Sequence, residues 1–265
     1  MSDKKTRRQV LLGIGAGSTI ALAGCSSPGG EGTETGTETG TEMSTDMSTE
    51  TATETMETGS VRAAHMSPDA PNVDIYVDGD AVLEDVAFGT VSSYLDAPAG
   101  DREVEITAAG DADTSVFSGT VPVAADTAYT LAAVGEISEG ADEAFEVLIL
   151  EDDNSAPDSG NARVRLVHAS PDAPAVDVTL ESNGSAVYDG VAYSESEYAS
   201  VPAGDYTLQV RGDTENNDGD VAASFDVSVA DGEVYTAFAA GYLTPDDDPA
   251  DTAFDLFVAQ DTGSM

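Results

Sequence analysis

The sequence predicts an all-β protein: two tandem antiparallel β-sandwich domains of immunoglobulin- or transthyretin-like build, after a disordered linker. Three observations carry this. The stretch His65-Met66-Ser67-Pro68-Asp69-Ala70-Pro71 recurs as His168-Ala169-Ser170-Pro171-Asp172-Ala173-Pro174, so a unit of about 100 residues is duplicated. From Val61 onward, apolar and polar residues alternate in short runs, the period of strands with one buried face. Turn residues punctuate these runs at the spacing of a sandwich, and no amphipathic helical period is visible.

The elements follow in chain order. Thr6-Arg7-Arg8-Gln9-Val10-Leu11-Leu12 resembles a twin-arginine export signal. The apolar run from Val10 to Ala23 that follows is shorter than the ~20 residues of a membrane span. It ends in Leu22-Ala23-Gly24-Cys25, which resembles the lipobox of exported lipoproteins. The resemblance implies a signal peptide over residues 1–24 and a lipid on Cys25. Two acyl-type chains there would anchor the protein stably to the cell membrane, on its extracellular face. The plainer alternative is secretion with an incidental cysteine. Cys25 is the sole cysteine, so no disulfide forms within the chain.

Residues 25–60 are a low-complexity stretch of Thr, Glu, Gly and Ser. Without apolar periodicity they can build no core, and they read as a lipid-anchored, disordered acidic stalk. The first sandwich spans 61–152. Val61, Ala63 and His65 open it, with Arg62 and Ala64 alternating between them. Ser67-Pro68-Asp69-Ala70-Pro71 forces a turn, because each proline fixes its own φ and pushes its predecessor extended. Val73, Ile75 and Val77 then face inward and Asp74, Tyr76 and Asp78 outward, before an Asp78-Gly79 hairpin. Ala97-Pro98-Ala99-Gly100-Asp101 reads as the next turn. Strands around Val104, Val121, Leu131 and Val147 bring the count to about seven. The linker is 153–162, with Pro157 and Gly160. The second sandwich, 163–265, repeats the plan, with Asn183-Gly184 in place of Asp78-Gly79. A unit of this size buries a core of its own, so each domain reads as a separate bead.

The chain holds 51 acidic and 9 basic residues, and beyond Cys25 only five arginines and no lysine. Such self-repulsion opposes compaction at ordinary ionic strength and is screened within about 3 Å in molar salt. The acidity therefore reads as adaptation to extreme salinity. It also excludes nucleic acid as a partner, since no basic patch exists to meet phosphates.

His-x-Ser-Pro-Asp-Ala-Pro followed by Val-Asp, then Pro-Ala-Gly-Asp ahead of an apolar strand, resembles an exported bacterial and archaeal domain catalogued as domain of unknown function 4397. The match covers 61 to about 151 and 164 to about 260. It implies tandem β-sandwich modules in a twin-arginine-exported, haloarchaeal-type lipoprotein. The family has no established activity, so no catalytic or binding residue is carried over.

Candidate sites are few. His65 and His168 are the only histidines. Each reads as part of a structural turn with Pro68, Asp69 and Pro71, or Pro171, Asp172 and Pro174. The competing reading makes both general bases of a surface hydrolase. Acidic clusters at Asp111/Asp113, 151–153, Asp213–Asp220 and 246–248 lack EF-hand spacing and read as solvated loops, with a Ca²⁺-stabilised module as the alternative. Asn183-Gly184-Ser185 is an N-glycosylation acceptor as well as a type I′ hairpin signal. Tyr76, flanked by Asp74 and Asp78, could touch a sugar or protein, though the second copy has Thr179 there. The expected function is non-enzymatic: a surface lipoprotein displaying binding, adhesion or envelope-organising modules toward an extracellular protein or glycan. No cofactor, catalytic residue or metal ligand is expected.

Overall fold

A computed structural model describes residues 57–247 and 249–261. The signal peptide with Arg7 and Arg8, Cys25, and the stalk through residue 56 lie outside the described residues. The first repeat comprises β1 (Thr58–His65), β2 (Val73–Val77), β3 (Asp80–Val86), β4 (Leu95–Pro98), β5 (Gly100–Ala108), β6 (Asp111–Val123), β7 (Ala128–Val134) and β8 (Glu146–Asp152). The second comprises β9 (Asn161–Ala169), β10 (Val176–Leu180), β11 (Ala186–Val191), β12 (Ser196–Pro202), β13 (Gly204–Gly212), β14 (Val221–Val229), β15 (Val234–Ala240) and β16 (Asp255–Gln260).

Each repeat is a sandwich of two four-stranded sheets, ordered β4-β1-β7-β8 and β3-β2-β5-β6 in the first, β12-β9-β15-β16 and β11-β10-β13-β14 in the second. Pairing is antiparallel except for β1 with β7 and β9 with β15, which are parallel. These central strands explain their own composition. β7 and β15 are buried along almost their whole length, and their alanines let both faces pack closely. One face of β1 and β7 closes the first core, with Ala63 and Leu131 against Ile75 and Ile106. Leu166 and Ala239 do the same against Val178 and Val210 in the second.

The other face forms a third core. Ala64, Met66, Ala132 and Val134 of the first repeat pack against Val167, Ala169, Phe238 and Ala240 of the second. The four sheets thus stack in layers, and the described residues belong to one compact unit. The expectation of separate beads did not include this interface. Alternation shows that a strand has an apolar face, but a strand apolar on both faces can turn its second one to a neighbouring domain as well as to its own.

Local expectations differ from the structure in four places. β1 begins at Thr58, inside the stretch read as stalk. Gly59 looks like linker composition, yet a Cβ there would lie 2.5 Å from the Ala124 carbonyl oxygen, so a close backbone approach requires glycine. Ala97 and Pro98 belong to a strand, and the Pro98-Ala99-Gly100 corner steps from one sheet to the facing one instead of closing a hairpin. Asp78-Gly79 is a tight turn with φ of 51° and 87°, as a type I′ turn demands, whereas only Gly184 of Asn183-Gly184 is left-handed. There the hairpin is longer, and the Asn183 side-chain Oδ1 accepts from Ser185 N at 2.9 Å. Asp74 is 6% exposed, not outward and wet.

Candidate functional site

The duplicated heptapeptide ties loops to the sheets. The His65 and His168 side chains are 1% and 0% exposed. Nε2 of each ring meets a carbonyl of its own turn, Pro71 O at 3.1 Å and Pro174 O at 3.0 Å. Burial holds both imidazoles below their ordinary pKa, and the carbonyl contacts oppose it more weakly. The Ser67 and Ser170 hydroxyls donate to Gly135 O and Gly241 O. Those glycines are left-handed, with φ of 78° and 92°. A Cβ on them would meet the Ala144 and Ala253 carbonyl oxygens at 2.5 and 2.4 Å. Asp69 accepts from the Ile137 and Ser138 amides, and Asp172 from those of Leu243 and Thr244. Pro68, Pro71, Pro171 and Pro174 shape the turns that hold these groups.

The downstream Val-Asp serves the same end. Asp74 accepts from Asp85 N and Gly110 N, which holds its carboxyl below the usual range, and Asp177 accepts from Gly190 N and Thr214 N. Each pins a hairpin bulge and the following loop. The repeated residues are therefore consumed in holding the fold.

The interface between repeats carries a buried polar network that the sequence reading did not find. Arg62 and Arg165 stand at matching positions on β1 and β9, 2% and 1% exposed. Arg62 pairs with Asp261 of the other repeat at 2.7 Å, and Arg165 pairs with Asp152 of the other repeat at 2.5 Å. Thr130 and Thr236 sit between them. Thr130 accepts from Arg62 Nε and donates to Asp152; Thr236 accepts from both arginines and donates to Asp261. Tyr94 and Tyr198 stack over the two guanidinium groups, at 4.7 and 5.2 Å. Burial and the hydrogen bond to Asp152 push the Tyr94 hydroxyl well above the usual phenol range, so it stays protonated and donates at 2.6 Å. Asp152 belongs to the 151–153 run that the sequence predicts to be a solvated loop, yet it is buried here. The available signal was economy: of five arginines kept beyond Cys25, two occupy equivalent strand positions.

A cleft opens beside this network. Between Val91 and Tyr94 the first repeat has two residues, Ser92 and Ser93; between Ser196 and Tyr198 the second has one. β12 accordingly pairs with β9 without a break, whereas Val91 makes only an isolated bridge to Ala64 before β4 starts at Leu95. The displaced chain leaves a cleft of about 630 Å³, within the range of ligand sites. Ser92, Ser93 and Tyr94 form one wall, Phe257 to Gln260 on β16 the other, and Arg62 lies at the bottom.

Among the described residues, the acidic loops yield one grouping. Asp177, Asp189 and Asp213 bring carboxylate oxygens within 4.8 Å of one another. The Asn217 amide, oriented with its nitrogen toward them, donates to Asp177 and Asp189 at 3.1 Å. Of the expected Asp213–Asp220 cluster only Asp213 takes part. Asn183 is exposed in its loop, and Tyr76 is half-buried.

No curated protein sequence matches the chain. Among solved structures, the TIE protein of Bacillus anthracis is 11% identical, with 70% of this chain and 34% of that chain covered and a TM-score of 0.23. The family 26 carbohydrate-binding module CBMbc of Eubacterium rectale Amy13K, solved in complex with maltoheptaose, is 11% identical, with 77% and 98% covered and a TM-score of 0.24. The chain thus spans about a third of the TIE protein, and likenesses at these TM-scores carry no argument. A family model described as "Domain of unknown function (DUF4397)" matches residues 59–179 and again 178–264. Both repeats being covered, the chain belongs to that family, as two tandem copies of the domain.

Proposed function

We propose that this is a non-enzymatic surface lipoprotein whose two repeats act as one binding module, with the cleft between the Ser92–Tyr94 segment and β16 as its ligand site. The observation that carries the reading is the division between shared and unshared features. What the repeats share is spent on turns and on their interface; the cleft lies where they differ, beside the one extra residue. Hydroxyls of Ser92 and Ser93, the Gln260 amide and the rings of Tyr94 and Phe257 form a lining that suits sugar hydroxyls and sugar faces. An extracellular glycan is therefore the favoured ligand, ahead of a protein. Anchoring by lipid on Cys25 after twin-arginine export rests on the N-terminal motifs, as does the extracellular location. Burial of both histidines in their turns favours this reading over a hydrolase.

Glycan-array screening of the full chain in molar salt tests it. Ser93→Trp at the exposed rim should abolish binding with the melting temperature unchanged. Retained binding, or no glycan bound by the wild type, overturns the site.

The Asp177, Asp189 and Asp213 grouping favours a second reading, a Ca²⁺-stabilised module. Chelation that leaves the melting temperature unchanged would end it.

A further inference from the structure

The repeats fill their cores differently. Ala63 on β1 stands beside Leu131 on β7, but in the second repeat the pair is exchanged, with Leu166 on β9 beside Ala237 on β15. The volume is conserved and moved one strand over. Next to Ala237 a cavity of about 250 Å³ remains between the two sheets. Its walls are aliphatic apart from the rings of Tyr188, Tyr206 and Tyr235 and a polar edge at Asp226 and Ser228. The backbone engages all three phenol oxygens. Tyr188 donates to Val164 O, Tyr206 donates to Pro202 O, and Tyr235 accepts from Ala230 N. The tyrosines therefore offer ring surface. Asp226, exposed at the edge, is the one charged residue lining the cavity, and no base lines it.

A largely apolar cavity of such size admits a small molecule with an apolar body. Aromatic faces attract cations. The Asp226 carboxylate at the mouth favours a cationic head group in contact with it over an anionic one. We infer that the cavity binds a small organic cation with an apolar body, of the alkyl- or arylammonium class. This site lies between the sheets of the second repeat, shares only Val258 with the lining of the interface cleft, and stands whether or not a glycan binds there.

Benzylamine, benzyl alcohol and benzoate share one ring and differ in charge, so they make the test. Titrated into the full chain at neutral pH in molar salt and read by tyrosine ring NMR shifts, benzylamine should bind more tightly than benzyl alcohol, and benzoate should not bind. Ala237→Leu, which fills the space, should weaken benzylamine roughly tenfold or more. Tyr206→Arg copies Arg102 of the first repeat onto the half-buried rim and should abolish the preference for the amine. Benzoate binding as well as benzylamine, no saturable binding by any of the three, or full binding by a folded Ala237→Leu chain would overturn the inference. If Ala237→Leu does not fold, Tyr206→Arg decides it.

Discussion

Arg62 of the first repeat is ion-paired with Asp261 of the second, and both side chains are essentially inaccessible to solvent. The relationship is reciprocal, since Arg165 and Asp152 make the converse pair. Breaking a buried pair leaves an uncompensated charge, so Asp261→Asn and Arg62→Ala should each cost about 3–5 kcal/mol. Replacing the pair together, as Arg62→Met with Asp261→Leu, should recover most of that loss. Because salt screens buried charges little, the cost should change little between moderate and molar salt. Chemical denaturation of the four proteins at two salt concentrations checks this; a loss that vanishes in high salt would count against burial.

Separating the repeats should expose the third core. A chain of residues 153–265 alone would present Val167, Phe238 and Ala240 to water, with Arg165 lacking Asp152. It should self-associate through that face, as sedimentation velocity would show. A stable, monodisperse monomer would contradict the interface.

Histidine burial gives stability a pH dependence of known sign. Both imidazoles titrate lower in the folded chain than their ordinary 6.5, because burial disfavours the cation. The unfolded chain then binds more protons as pH falls below that value, so stability is present above it and is lost on acidification, down to the folded pKa. Each histidine adds a slope of at most about 1.4 kcal/mol per pH unit in that window. Asp74, with its carboxyl held low, adds a loss of the same direction in a separate window at lower pH. Melting curves across weak acid should show the slope, and the double variant His65→Gln/His168→Gln should flatten the upper window alone.

The loop anchors should be separable from the cores. Asp172→Ala removes the acceptor for the Leu243 and Thr244 amides. A loss of about 1–3 kcal/mol is expected, with faster amide exchange confined to residues 242–244. Gly241→Ala should be worse, since its Cβ collides with backbone.

Much of this architecture was legible in the residues. Alternation around Val73 and Val104, the Asp78-Gly79 turn and the duplicated heptapeptide all point to paired sandwiches, because each obeys local rules of backbone and burial. The missing parts are those that depend on a distant partner. β4 has only four residues, and its proline suggests a turn. Arg62 alternates with apolar neighbours in a way that suggests a solvated position, and nothing local shows that Asp261 waits for it. The cleft arises from one additional residue between two hydrogen-bonded positions, and the cavity from an exchange of Leu and Ala between adjacent strands. Both are visible only when the repeats are compared in register.

The pairing of Arg62 with Asp261 also orders events during synthesis. The β1 guanidinium finds its carboxylate only after β16, in the second repeat, and β1 cannot join β7 until the intervening strands have emerged. Such non-local closure is slow compared with hairpin formation. The chain must therefore have emerged as far as β16 and Asp261 before its middle layers seal, and until then two apolar sheet faces depend on the surrounding solvent, or on a chaperone, to keep them from sticking.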